Sequence, residues 1–233
     1  MTQAMPVATN DASEVDLYFD FVSPYTYLLL AQADAFAQRN KVAWRLQPVV
    51  YGVLLNHTGL VGPVEVEVKR RYSFADIRRC AALLDIPLVG APAHPFRSLE
   101  ALRTVCLYLD DPRCLDLTVA LAHACWGAGR DLADADTLAA VVASSGLEAS
   151  NLEARLAADD SKHRLRETTS RAIDRGVFGV PTCRLGDELF WGHDRLPHLA
   201  ARIAGRIPDP LEGIDQLLER PRAAERRAGA PSR

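Results

Sequence analysis

The 233-residue chain has no C-x-x-C pair. Its cysteines, Cys80, Cys106, Cys114, Cys125 and Cys183, are odd in number and lack metal-ligand spacing, so a reducing cytoplasm is the expected setting. No run of about 18 apolar residues occurs, which argues against a membrane-spanning helix. The stretch MTQAMPVATNDASE has neither a basic start nor an apolar segment behind it, so no secretory signal is expected. Net charge is −3, which gives no reason to expect nucleic acid or an anionic membrane as partner. No internal repeat is visible. What remains is a chain with 48% hydrophobic and 24% charged residues, ordinary for a globular protein with a full core.

Along the chain, Val15–Val22 reads as a strand. It runs into the corner Ser23-Pro24-Tyr25-Thr26, where Ser23 stands at a helix N-cap and Pro24 at the first helical position. Tyr25, Leu28, Leu29, Gln32 and Phe36 then share one helical face, and Lys41–Val49 is a second strand. Two strands joined by a helix pair in parallel with a right-handed crossover. From about Gly52 to Gly176 the strand signals stop, and several amphipathic helices follow one another. Thr182–Leu185 and Glu188–Trp191 then flank Gly186-Asp187 as a hairpin, and a last helix follows Asp194. The plan is β-α-β, a helical block, then α-β-β-α: an α/β fold, a thioredoxin-like domain interrupted by a helical insertion. The boundaries expected are 14–51 and 175–206 for the thioredoxin-like part and 52–174 for the insertion, with flexible ends at 1–13 and 207–233. Thioredoxin-type oxidoreductases place cysteines at the first and fourth corner positions; here those positions hold Ser23 and Thr26.

Five stretches carry a resemblance: YFDFVSPYTYL, VKRRYSFADIRR, HPFRSLEALR, RGVFGVPT and LFWGHDRL. In this order they resemble the 2-hydroxychromene-2-carboxylate isomerase family, DsbA-like proteins related to kappa-class glutathione transferases. The resemblance implies glutathione as cofactor, a small aromatic carboxylate as substrate and a homodimer. It places Ser23, otherwise an ordinary N-cap, beside the glutathione sulfur. Val180 and Pro181 become the cis-proline site that meets the cysteinyl part of glutathione. Trp191, Asp194 and Arg195 become glutathione-binding, with Asp194 and the backbone at that helix start gripping the γ-glutamyl end, where Asp194 otherwise reads as a helix cap and Arg195 as a solvated charge. Lys69, Tyr72 and Tyr25 become substrate-facing, against the plain alternative that Lys69 belongs with Arg70, Arg71 and Arg78 to a solvated face.

The sequence also departs from the family. Thr58-Gly59-Leu60-Val61-Gly62-Pro63 has Leu60 where the family often has asparagine, and Glu67 stands where proline is common. His123 and Cys125, two apart on a helix, do not make a metal site, so no metal is expected. Cys183 reads as a strand residue. The activities left open are a glutathione-dependent isomerase, a kappa-like glutathione transferase, and a glutathione-binding protein without turnover. A disulfide oxidoreductase is rejected because position 23 is not cysteine.

Overall fold

The structure is a computed structural model and describes residues 12–221. β1 (Ser13–Phe19), α1 (Pro24–Asn40) and β2 (Val42–Pro48) form the first unit. A helical stretch follows: α2 (Tyr51–Thr58), a 3₁₀ turn at Pro63–Glu65, α3 (Glu67–Leu83), α4 (Leu99–Leu107), α5 (Cys114–Ala122), a π turn at His123–Gly127, α6 (Ala135–Ser144), α7 (Leu152–Ala157) and α8 (Asp159–Asp174). β3 (Thr182–Leu185), β4 (Glu188–Trp191), a 3₁₀ turn at His193–Arg195, α9 (Leu196–Ile203) and the short α10 (Ile214–Leu218) close the chain.

The sheet order is β2-β1-β3-β4. β1 pairs in parallel with β2, from Ser13↔Val42 to Phe19↔Pro48, and antiparallel with β3 through Tyr18↔Thr182 and Leu17↔Cys183. Strand alternation divides β1 between two cores. Val15, Leu17 and Phe19 enter the large one with Leu28, Leu29, Leu102, Leu117, Leu121 and Trp126. Tyr18 enters a smaller one with Val49, Leu54, Ala172, Val177 and Val180. The inserted helices and the sheet therefore share a core.

Several expectations shift. The strand ends at Phe19, and Asp20–Val22 form the turn into α1. α1 buries Tyr27, Leu30 and Ala33 besides the expected Leu28, Leu29 and Phe36, because sheet and inserted helices cover it from more than one side. The α2 and α7 helices carried no sequence signal strong enough to place them. Ser13, expected in a flexible end, opens β1, and α10 lies within the expected 207–233 tail. The rest of those expected ends, 1–11 and 222–233, lies outside the described residues. No helix among the described residues is long and apolar enough to cross a membrane.

Candidate active site

The corner sits where β1 ends, and long-range hydrogen bonds fix it. Asp20, buried directly after β1, accepts from Val22 N at 3.0 Å, Ser98 Oγ at 2.6 Å and Tyr51 N at 2.9 Å. One carboxylate thus ties the corner to the starts of α2 and α4. Burial pushes the pKa of Asp20 up, against the three hydrogen bonds that pull it down. On the other side, Trp126 Nε1 donates to Phe21 O at 2.8 Å, and His94 Nε2 lies 2.9 Å from Val22 O. The π turn presents Trp126 to the corner, and its ring packs against His94.

Ser23 occupies the N-cap position of α1, but its side chain does not cap the helix. Its buried hydroxyl donates instead to Val180 O at 3.2 Å, and the Val180–Pro181 bond is cis. Thr26, at the fourth corner position, is 1% exposed, and its Oγ1 has no hydrogen-bond partner among the described residues. An unpaired buried hydroxyl is a rare and costly state. The corner therefore brings together one redirected hydroxyl, one orphaned hydroxyl and the N-terminus of a 17-residue helix.

The segment after β4 closes over the corner. Gly192 takes φ +106°, and a Cβ there would meet Asp194 Oδ1 at 2.5 Å, so the carboxylate folds back over a residue that must be glycine. Asp194 pairs with Arg195 at 3.3 Å and makes no cap hydrogen bond to the following helix. Trp191 is 53% exposed and meets Phe178 edge-on at 5.0 Å. His193 stacks on Tyr25, with ring centroids 5.5 Å apart and planes 7° from parallel. The Tyr25 hydroxyl donates to Asp76 Oδ2 at 2.9 Å, which draws α3 to the corner. Burial, reinforced by Asp76, pushes the Tyr25 phenol above its ordinary range. One turn before Asp76 on the same helix stands Tyr72, exposed and beneath the Arg79 guanidinium, and Lys69 lies about two turns before it. An open cleft of about 400 Å³ lies along the start of α3, lined by Glu67, Val68, Arg70, Arg71 and Phe74.

Sequence alone does not single out Asp20 or His94 as parts of the site, nor His193 as a neighbour of Tyr25. A charged residue inside an apolar strand was an available signal for Asp20. The other two depend on contacts across 72 and 168 residues and had none. The cysteines are poor nucleophiles in this setting. Burial raises the thiols of Cys106, Cys114 and Cys125 to about 12, and pushes up that of Cys183, buried in β3. Among the described residues no group of three or more His, Cys, Asp or Glu could hold a metal ion.

The DSBA-like thioredoxin domain family matches residues 14–204. A 2-hydroxychromene-2-carboxylate isomerase of Pseudomonas putida is 34% identical over 198 residues, covering 83% of this chain and 95% of that protein. The chain belongs to the DSBA-like thioredoxin family, in its 2-hydroxychromene-2-carboxylate isomerase branch. A solved structure of such an isomerase superposes with a TM-score of 0.76 at 31% identity, covering 89% of this chain and 100% of that one. Glutathione S-transferase kappa 1 of Rattus norvegicus is 22% identical, covering 84% of this chain and 93% of that protein. Membership places the chain among enzymes of an isomerase family that shares the DsbA-like fold.

Proposed function

We propose that the chain is a glutathione-dependent isomerase of 2-hydroxychromene-2-carboxylate or a related intermediate of aromatic catabolism. The observation that carries this reading is the Ser23 hydroxyl, buried at the N-terminus of α1 and held to Val180 O next to a cis proline. The residues present fit glutathione. Thr26 Oγ1 is a polar atom left over at the corner, and Asp194 with Arg195 offers one charge of each sign to a γ-glutamyl group carrying both. Bound glutathione would supply a thiolate that adds reversibly to a conjugated double bond, lets it rotate and then leaves.

The chain's own residues would make that thiolate available. A free thiol has a pKa of about 8.5, and lowering it to about 7 takes roughly 2 kcal/mol. A helix N-terminus contributes about 0.3–1 kcal/mol, and one hydrogen bond to a charged group about 1.5–3 kcal/mol. Ser23 supplies that bond by turning its proton from Val180 O toward the sulfur, and the Val180 backbone is then free to meet the cysteinyl part of glutathione. Trp191, Asp194 and Arg195 would hold its γ-glutamyl end. Tyr25, Tyr72 and Lys69 would face the substrate, with the lysine ammonium suited to a carboxylate.

A homodimer in a reducing cytoplasm completes the proposal. The unpaired state of all five cysteines supports the setting. The exposed Val61 and Val68, in the stretch from α2 into α3, support a covering second copy, and sedimentation would test it. The activity is tested by the ultraviolet time course of 2-hydroxychromene-2-carboxylate with and without glutathione, for the wild type and Ser23→Ala. Conversion that needs glutathione and collapses in the variant supports the reading. Glutathione binding without conversion replaces it by a kappa-like transferase or a silent binder.

A further inference from the structure

We infer that the cleft between α2, α4 and α8 is a binding site for a small carboxylate with an apolar body about one ring in size. The inference does not depend on the glutathione reading. Neither Ser23, Val180 nor any residue of the Trp191–Arg195 segment lines this cleft.

The cleft has a volume of about 190 Å³, below the roughly 300–1,000 Å³ of pockets that hold drug-sized ligands. Its apolar walls are Val53 of α2, Leu99 of α4, and Leu165 and Ile173 of α8. Among these walls stand Arg103 of α4 with Lys162 and Arg166 of α8, and none of the described residues that line the cleft is a carboxylate. The two arginines are not spent on neighbours. Arg103 is half-buried, and its Nε is shut off from solvent with no hydrogen-bond partner among the described residues. A buried donor of a charged group left unanswered is costly. Arg166 is exposed and makes no ion pair among the described residues. The acids nearest to them in sequence are engaged elsewhere: Glu100 pairs with Arg97 and Glu167 with Arg171, each at 2.5 Å. Lys162 is held by Ala157 O at 2.5 Å and Asp159 at 3.5 Å, so it adds charge more than a free donor. Other partly buried arginines of this fold close on carboxylates, Arg184 on Asp16 and Arg202 on Glu188.

This combination selects the ligand. A carboxylate accepts parallel N–H bonds from a guanidinium fork, and Arg103 Nε is one tine of such a fork. The apolar walls ask for a hydrocarbon body, which inorganic phosphate lacks. A neutral ring would cover the walls and leave the arginines unanswered. The site also abuts the frame of the corner without belonging to it. Val50 N donates to Thr169 Oγ1 at 3.1 Å, and both residues line the cleft. Their neighbours carry the cradle: Tyr51 N and Ser98 Oγ both donate to Asp20.

The test is hydrogen exchange of the full chain with benzoate, followed in the peptides that contain Val50 and Leu99. Inorganic phosphate serves as the anion without a ring, and benzyl alcohol as the ring without a charge. We expect benzoate to slow exchange in both peptides, and the two controls to bind at least about ten-fold more weakly. Arg103→Gln should weaken benzoate by about ten-fold or more without lowering the urea midpoint, because it loses no internal partner. Arg166→Gln should weaken benzoate by a smaller factor, and its exposed position keeps the test decisive if Arg103→Gln fails to fold. Lys69→Gln, at the start of α3, should leave the effect unchanged. Benzoate that slows neither peptide, or that slows them equally in both arginine variants, overturns the site. Loss of the effect in Lys69→Gln with the arginine variants unaffected traces binding to the cleft along α3 and also overturns it. Phosphate or benzyl alcohol as effective as benzoate overturns the ligand class.

Discussion

Two buried carboxylates stand four residues apart, Asp16 in the middle of β1 and Asp20 directly after it, and they are satisfied by opposite means. Asp16, 1% exposed, accepts from Arg45 Nε at 2.9 Å and Arg175 at 3.0 Å, with Arg184 at 3.5 Å. Asp20, 2% exposed, meets two backbone amides and the Ser98 hydroxyl, and no cation among the described residues pairs with it. Four residues separate a charge knot from a neutral-donor cradle. At Asp16 the ion pairs join β1, β2, β3 and the segment after α8. Hydrogen bonds serve the end that carries the corner, because they fix direction without adding a cation. A guanidinium beside Ser23 would hold an anion there at every stage and oppose its departure.

Substitutions sharpen or break that contrast. The largest expected effect is on stability at the far end. Asp16→Asn leaves three arginines without their shared buried partner and should cost about 3–5 kcal/mol in urea unfolding, with glutathione affinity unchanged. A loss of glutathione binding in folded Asp16→Asn would mean that the two ends are not independent. Next comes Ser23→Ala, which should lower turnover by about 10²–10³-fold while changing unfolding free energy by only about 0.5–1.5 kcal/mol, the net worth of its bond to Val180.

Asp20→Asn turns one acceptor into a donor among three donors and should cost about 1–3 kcal/mol. Its pH dependence decides which force rules the carboxyl. Burial raises the folded pKa above the unfolded value of about 3.9, so ionisation opposes folding. The contribution of Asp20 is then greatest below the unfolded value and declines as pH rises through the folded one. The deficit of Asp20→Asn should accordingly widen as pH is lowered from about 7 toward about 4. A deficit that shrinks instead would show that the hydrogen bonds outweigh burial. The smallest effect is expected for Thr26→Val, which removes an orphaned hydroxyl at nearly constant shape. It should stabilise the fold by up to about 1 kcal/mol and lower turnover; unchanged turnover would separate Thr26 from the chemistry.

The elements legible in the sequence are those whose causes are local. Alternation marked β1, Ser23-Pro24 marked the start of α1, and Gly186-Asp187 marked the β3–β4 hairpin, because each signal sits within the residues it shapes. α2 was missed because Val50-Tyr51-Gly52 continues an apolar strand and then presents a glycine. α7 was missed because six residues give too little periodicity. At the corner, sequence placed Ser23 at the helix start, yet the direction of its hydroxyl depends on Val180, 157 residues away. Tyr25 was legible as a corner residue, but its ties to Asp76 and His193 are products of packing. Thr26 was legible as the fourth corner position, while its lack of a partner is a property of the whole fold.

The distance along the chain between Ser23 and Val180 also has a consequence in time. β1, α1 and β2 leave the ribosome first, and β3, which covers the other edge of β1, is made more than 130 residues after β2 ends. At about 5–20 residues per second, that edge waits on the order of ten seconds or more for its partner. During that interval Leu17 and Tyr18 lack the strand that pairs with them. The nascent chain is therefore most vulnerable to mispairing at the strand that leads into the Ser23 corner.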